Sequence, residues 1–359
     1  MRLRLFQNPA AFDELAEPWL GLLSRSAADS PFLRPAWLRT WWAHLGEGEL
    51  CLIAVEAEGR LIGLAPMRRI AQDGRMLLET FGEAVTDYLD LVVEAGWEEA
   101  VAHALLGWLC SAQAPPWDTL VLWNVRADSP TCSLWPRLAP AYGLSVQVER
   151  LTVCPLLLLP PTWEAYLQIL DRKDRHELRR KLRRMEAVEG ARWYILREPG
   201  PGVAEAAEAF LDLMALGHAE KAAFLRPAVR GFLRRVIEVG FQEGWARLSF
   251  LEIDGEKAAA YLDFDYGDRI WLYNSGLNPY RFTGLSPGLV LLAYLIREAI
   301  ERGKRAFDFL RGDEPYKFRF GAREVPLYRI LLQRESRLSQ SDREVRHGRG
   351  DQGRADREA

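Results

Sequence analysis

The two halves of this chain repeat one another. Phe32-Leu33-Arg34-Pro35 opens an apolar, helix-periodic stretch that runs to about Leu45. Phe224-Leu225-Arg226-Pro227, 192 residues on, opens another that runs to about Val239. A helix-like segment precedes each, at residues 12–24 and 206–218. Downstream, short apolar runs at 52–56 and 61–67 flank Glu58-Gly59, and runs at 248–252 and 258–264 flank Asp254-Gly255. An acidic residue followed by Gly between two such runs signals a two-residue β-hairpin turn. The paired glycines lie 196 residues apart, so order and spacing both persist. Each half then predicts a third strand (76–81; 269–274), a helix (98–110; 287–302) and a further strand (119–123; 306–310). A tetrapeptide recurs by chance, but five elements in one order do not. Two unrelated α+β domains would leave that order unexplained. The pattern predicts an α/β chain of two tandem units, each a mostly antiparallel mixed sheet flanked by helices.

Length agrees with two domains, since 359 residues exceed what one core usually supports. The join falls in the Pro-rich stretch 153–161, giving units at 1–152 and 153–334, with Thr162 placed to cap a helix. Residues 335–359 are rich in Arg, Asp, Glu, Ser and Gly with four aliphatic residues, a composition that predicts a disordered tail. A net charge of -3 argues against a surface built for DNA. The four cysteines have no C-x-x-C spacing and no His pair, so no metal site is expected. Free thiols, the lack of a leader-like apolar start and an apolar run of only nine residues at 151–159 predict a cytoplasmic protein.

The second half carries Asn274-Ser275-Gly276, then Arg281-x-x-Gly284-x-Ser286-Pro287-Gly288, and at once an apolar helix. Ser286 suits an N-cap and Pro287 the first helical position. Free N–H groups at such a helix start, with its dipole, make an anion site. An ordinary capped helix accounts for the same residues. The matching stretch of the first half holds Asp87 and Asp90, which repel phosphate, so one anion site is expected, in the second half.

These residues resemble the GNAT acyltransferases, whose loop reads Arg/Gln-x-x-Gly-x-Gly/Ala; here Ser286 takes the last small position. The wider pattern resembles the CelD/BcsL-type branch and, more distantly, the Fem-type peptidyltransferases, which also pair two GNAT units. It is carried by Phe32, Trp37, Trp41-Trp42, Asp87-Tyr88-Leu89-Asp90, the basic run 172–184, Tyr273, and Asp308-Phe309-Leu310-Arg311-Gly312 with Tyr316-Lys317. The resemblance implies direct acyl transfer from acetyl-CoA or a longer acyl-CoA to an amine or hydroxyl. The acceptor would be a small molecule or a cell-envelope or polysaccharide precursor. It implies Arg281, Gly284, Ser286, Gly288, Asn274 and Ser275 around the donor.

Direct transfer needs a base, oxyanion stabilisation and an acid for the thiolate. Asp308, on an apolar strand face, is the expected base, with capping or pairing to Arg311 as its alternative role. Tyr316 is the expected acid. Lys317, Arg311, His218, Lys221, Asp87, Tyr88 and Trp37 are the expected acceptor side. Residues 171–186 predict an amphipathic helix with eight Lys/Arg. Its basic face is either solvated or meets an anionic acceptor, a membrane surface or, in a Fem-like aminoacyl-tRNA-dependent enzyme, tRNA. A third possibility is a non-catalytic module of an envelope-polysaccharide system. The expectation that joins these residues is that donor and acceptor meet in the groove between the two units.

Overall fold

The computed structural model describes residues 1–217 and 219–334. The tail at 335–359 and His218 lie outside the described residues.

The strands are β1 (Arg2–Phe6), β2 (Glu49–Ala57), β3 (Arg60–Gln72), β4 (Arg75–Thr80), β5 (Val92–Val93), β6 (Thr119–Arg126) and β7 (Leu144–Val153). They continue as β8 (Leu156–Leu158), β9 (Ala191–Leu196), β10 (Ala246–Ile253), β11 (Glu256–Tyr266), β12 (Arg269–Leu277), β13 (Ala306–Asp308) and β14 (Pro326–Arg334). The helices of the first half are α1 (Ala11–Glu14), α2 (Ala16–Leu23), α3 (Pro35–Leu45), α4 (Glu98–Leu109) and α5 (Pro130–Leu138). Those of the second are α6 (Trp163–Ile169), α7 (Arg172–Glu186), α8 (Gly202–Gly217), α9 (Ala219–Phe224), α10 (Pro227–Gln242), α11 (Pro287–Glu301) and α12 (Pro315–Arg319).

Two mixed sheets form, with the same wiring. In the first, β1-β2-β3-β4 run antiparallel and β4 pairs β6 in parallel across α4. In the second, β9-β10-β11-β12 run antiparallel and β12 pairs β13 in parallel across α11. The two predicted hairpin turns both form, and for the predicted reason: Glu58-Gly59 and Asp254-Gly255 hold φ of 52° and 75°, and 53° and 79°. Two consecutive left-handed residues give the turn whose twist matches that of the strands. Thr162 caps α6, its Oγ1 accepting from the Ala165 N–H at 3.1 Å.

The sequence boundary fails at the C-terminus. Strand β14, assigned to the second unit by its place in the chain, lies in the first sheet between β6 and β7. The second sheet takes β8, from the join, at the corresponding position beside β13. The chain therefore crosses between sheets twice: the second sheet is built from one contiguous stretch, β8 to β13, but the first is completed only by β14 from the far end of the chain.

Packing joins the units further. One core holds Phe12, Trp37 and Phe81 from the first unit with Phe210, Phe232, Phe264 and Trp271 from the second. Separate cores sit on the outer faces, under α4 and α5 in one unit and under α6, α7 and α11 in the other. Strand β10 is buried along its whole length, as expected for a strand covered on both faces.

Candidate active site

The second sheet opens at one end. Strands β12 and β13 pair over three residues each, Arg269–Trp271 against Ala306–Asp308; β13 then stops and β12 continues to Leu277. Leu262 faces Asn274 and Asp263 faces Leu272, so Tyr273 is an extra, bulged residue. A bulge bends the strand and re-aims its side chains. Here it sends the Tyr273 hydroxyl to the Val85 carbonyl of the first unit, at 2.6 Å.

Tyr273 and Asn274 line a cleft of about 280 Å³ between the units, with Ala84, Val85 and Asp87 on one wall and Lys221 and Arg311 on the other. Arg311 is the clasp. Its guanidinium donates to the carbonyls of Glu83 at 2.7 Å and Ala84 at 3.1 Å, and its Nε lies 3.3 Å from Asp87 Oδ1. Burial pushes Asp87 up, and Arg311 opposes that. Lys221, on α9, donates to the Ser275 carbonyl at 2.6 Å and to Ser275 Oγ at 2.9 Å. Burial lowers the Lys221 ammonium to about 8.

A second pocket, of about 170 Å³, sits at the start of α11 and is walled by Lys181, Leu289, Tyr316 and Arg319 among others. The loop before it, Thr283–Leu285, makes one tight turn between two left-handed residues, Phe282 at φ 62° and Ser286 at φ 55°. An N-cap needs extended backbone, so Ser286 cannot cap the helix as the sequence predicted. Its Oγ instead accepts from Lys181 Nζ at 2.7 Å. The first-turn N–H groups of α11 thus carry no side-chain cap, and a cation stands beside them. Gly284 has open space where a Cβ would be. Burial raises the Tyr316 phenol.

This pocket sets two cations, Lys181 and Arg319, by a helix start, but Asp174 and Glu177 also line it and Lys181 lies 3.2 Å from Glu177, so a phosphate held there would have to take Lys181 from Glu177. Two of the predicted loop residues serve otherwise. Arg281 is 63% exposed and pairs with Glu256. Gly288 is small because α11 packs on β12: a Cβ there would sit 2.7 Å from Leu277 Cδ2. Asn274 and Ser275 face the inter-unit cleft and Lys221 instead of the helix start.

Four further expectations are corrected. Asp308 has no exposed surface and does not line the cleft. Both its oxygens accept from the Tyr88 hydroxyl, at 3.1 and 3.0 Å, and Oδ1 also accepts from the Leu310 N–H. Burial raises its carboxyl to about 6, but an acceptor cannot reach it. Tyr88 is buried as its partner. Lys317, 2% exposed, donates to the carbonyls of Leu310, Arg311 and Gly312 and pairs with Glu314, so it shapes the loop that carries Arg311. Trp37 is core: it packs edge-on against Phe232 and Phe264, and its Nε1 donates to Thr86 Oγ1.

Both pockets draw their second-unit walls from one continuous stretch, α7 to α12. Residues 172–318 match the acetyltransferase (GNAT) domain. The GNAT stretch contains Lys181, Lys221, Ser286, Arg311 and Tyr316, and excludes the whole first unit. No curated protein matches the chain by sequence. Among solved structures, FemX is similar at TM-score 0.64 and 13% identity, over 92% of this chain and 97% of that one. L-PGS from Bacillus licheniformis is similar at TM-score 0.54 and 13% identity, over 92% and 96%. A C-terminal domain from Agrobacterium fabrum, assigned to a lysylphosphatidylglycerol synthetase, is similar at TM-score 0.54 and 12% identity, over 93% and 96%. At such identities the likeness is one of fold.

Sequence reasoning missed Arg319, and it placed Lys181 only within the basic run 172–184, not beside the start of α11. A weak signal existed for Lys181: it follows Leu178 by three positions, on the flank of the apolar stripe Leu178-Leu182-Met185. Arg319 carried none.

Proposed function

We propose that the chain is an acyltransferase that takes its acyl group from acyl-CoA at the start of α11. It would pass the group directly to an amine or hydroxyl held in the cleft between the units. The carrying observation is the uncapped start of α11 with Lys181 beside it, in a unit that also supplies a deprotonable lysine to the cleft. The GNAT match over this stretch supports a transferase. In this reading Lys181, Arg319 and the α11 backbone hold the donor's phosphates. Tyr316 gives a proton to the leaving sulfur, and Arg311 keeps the acceptor wall in place.

The test is a thermal shift with acetyl-CoA and longer acyl-CoAs. A ligand at 100 times its Kd adds about 2.7 kcal/mol, several degrees for units of this size. A flat response across chain lengths overturns the reading.

A second reading has its own observation. In a protein that pairs most of its cations, Arg172, Lys173, Arg175, Arg179, Arg183 and Arg184 of α7 make no ion pair among the described residues. Four of them line a groove, with Arg319, that adjoins the donor pocket. An aminoacyl-tRNA donor would use that surface through its phosphates. Retention of tRNA on a gel, lost when Arg175 and Arg179 become Glu, would favour it over acyl-CoA.

A further inference from the structure

We infer that Lys221 is the base of the transfer, acting as a neutral amine that draws the proton from the acceptor bound between the units. The inference rests on the acyl-transfer reading and names the group that makes the acceptor nucleophilic.

The argument is stereochemical first. A neutral primary amine has two N–H donors and one lone pair. At Lys221 the two donors are taken, by the Ser275 carbonyl at 2.6 Å and Ser275 Oγ at 2.9 Å. The remaining vertex of the nitrogen is left for the cleft that Lys221 lines. An ammonium there would have a third N–H and would want a carboxylate. Two of the nearby carboxylates are already engaged: Glu314 is held by Lys317 at 2.9 Å, and Asp87 across the cleft by Arg311, while Glu220 makes no salt bridge to Lys221 among the described residues. Glu220 lies beside it on the same short helix and lines the same cleft. Of the groups on α12 and the segment before it, Glu314 raises the Lys221 pKa and Lys317 lowers it, so burial decides the direction. The result, about 8, leaves a useful neutral fraction near neutral pH. Asp308, the carboxylate on the apolar strand, is sealed from the cleft, so the base must come from elsewhere.

The step balances as follows. The acceptor enters as a hydroxyl or free amine, and its proton passes to Lys221 Nζ. The acceptor's oxygen or nitrogen bonds to the thioester carbonyl carbon of the donor. The carbon–sulfur bond breaks and its electron pair leaves on sulfur. The sulfur takes its proton from Tyr316, and the proton on Lys221 passes through solvent to the Tyr316 phenolate, so both regain their starting forms and the acceptor's proton is the one gained by the thiol.

The experiment has three arms on the full chain. Lys221→Arg and Lys221→Met should lower kcat by 10²- to 10⁴-fold, the usual contribution of a positioned base, while the acetyl-CoA thermal shift is kept. Small primary amines added to Lys221→Ala should restore part of the rate, which a lost packing contact would not allow. Separately, trace acetic anhydride labelling of the wild type, read by peptide mass spectrometry, should show Lys221 reactivity rising with a midpoint near pH 8. An ordinary lysine rises near pH 10.4. Full activity in Lys221→Arg, or a labelling midpoint near 10, overturns the inference and leaves acyl transfer standing. A wild type that shows no shift with any acyl-CoA and no transfer overturns both.

Discussion

Asp308 and Asp90 are buried carboxyls, each raised to about 6 by burial. The sign of their effect follows from linkage. A raised folded pKa means that the folded state binds the proton more tightly than the unfolded chain, whose carboxyl titrates near 3.9. The stabilisation is complete below about pH 4 and lost as pH rises through about 6. Asp308→Asn removes this group's share, ~3 kcal/mol for a two-unit shift. Urea midpoints at pH 4.5 and pH 7 should therefore differ less in Asp308→Asn than in the wild type. Equal differences would mean that Asp308 titrates normally. The two lysines that the sequence placed together, Lys317 buried and Lys221 half-buried, also part company here. Lys317→Met strands three backbone carbonyls and Glu314, so it should lower the melting temperature strongly, a loss of ~3 kcal/mol or more. Lys221→Met strands only Ser275 at a cleft wall and should cost far less. Paired melts of the two variants check this.

At the scale of elements, two glycines near the site make opposite demands. Gly276 on β12 faces α8 so closely that a Cβ would lie 2.7 Å from both Leu213 Cβ and the Met214 nitrogen. Backbone cannot yield as a side-chain tip can, so Gly276→Ala should push α8 off the strand and lower the melting temperature by many degrees. Gly288→Ala meets only the end of Leu277 and should be tolerated with a small loss. If the two variants melt alike, the contact between α8 and β12 is looser than described. The α7–α11 contact makes a functional prediction. Lys181→Ala leaves Ser286 without its partner and removes the cation at the helix start. It should weaken acyl-CoA binding about tenfold or more, read by titration calorimetry, with little change in stability because Lys181 is partly exposed. The sequence placed α7 and α11 correctly, since both have clear apolar periodicity. It could not show that one supplies a cation to the other, because the two residues lie 105 positions apart.

For the whole molecule, the crossing strands decide how far the units are independent. Ending the chain after Val325 removes β14, which carries the ladders to both β6 and β7. The first sheet would then lose its joint although its deletion lies in the second half, and proteolysis should cut the first unit as fast as the second. Fragments that treat 1–152 as a domain should fail for the same reason. The sequence by itself determined the duplication, the hairpin turns and the order of the repeated elements, because these rest on local backbone preferences and short-range periodicity. It also chose Lys221, Arg311 and Tyr316 as site residues. Only the tertiary structure decided what each residue does there. Burial of Asp308 under Tyr88, the turn of Ser286 toward Lys181 and the loss of Trp37 and Lys317 to the interior are set by contacts between segments far apart in the chain. Long-range packing also moved β14 into the first sheet, where Leu327 joins the core between the units and Ile330 and Leu332, beyond a bulge, join the outer core of the first unit, partners that local sequence could not name.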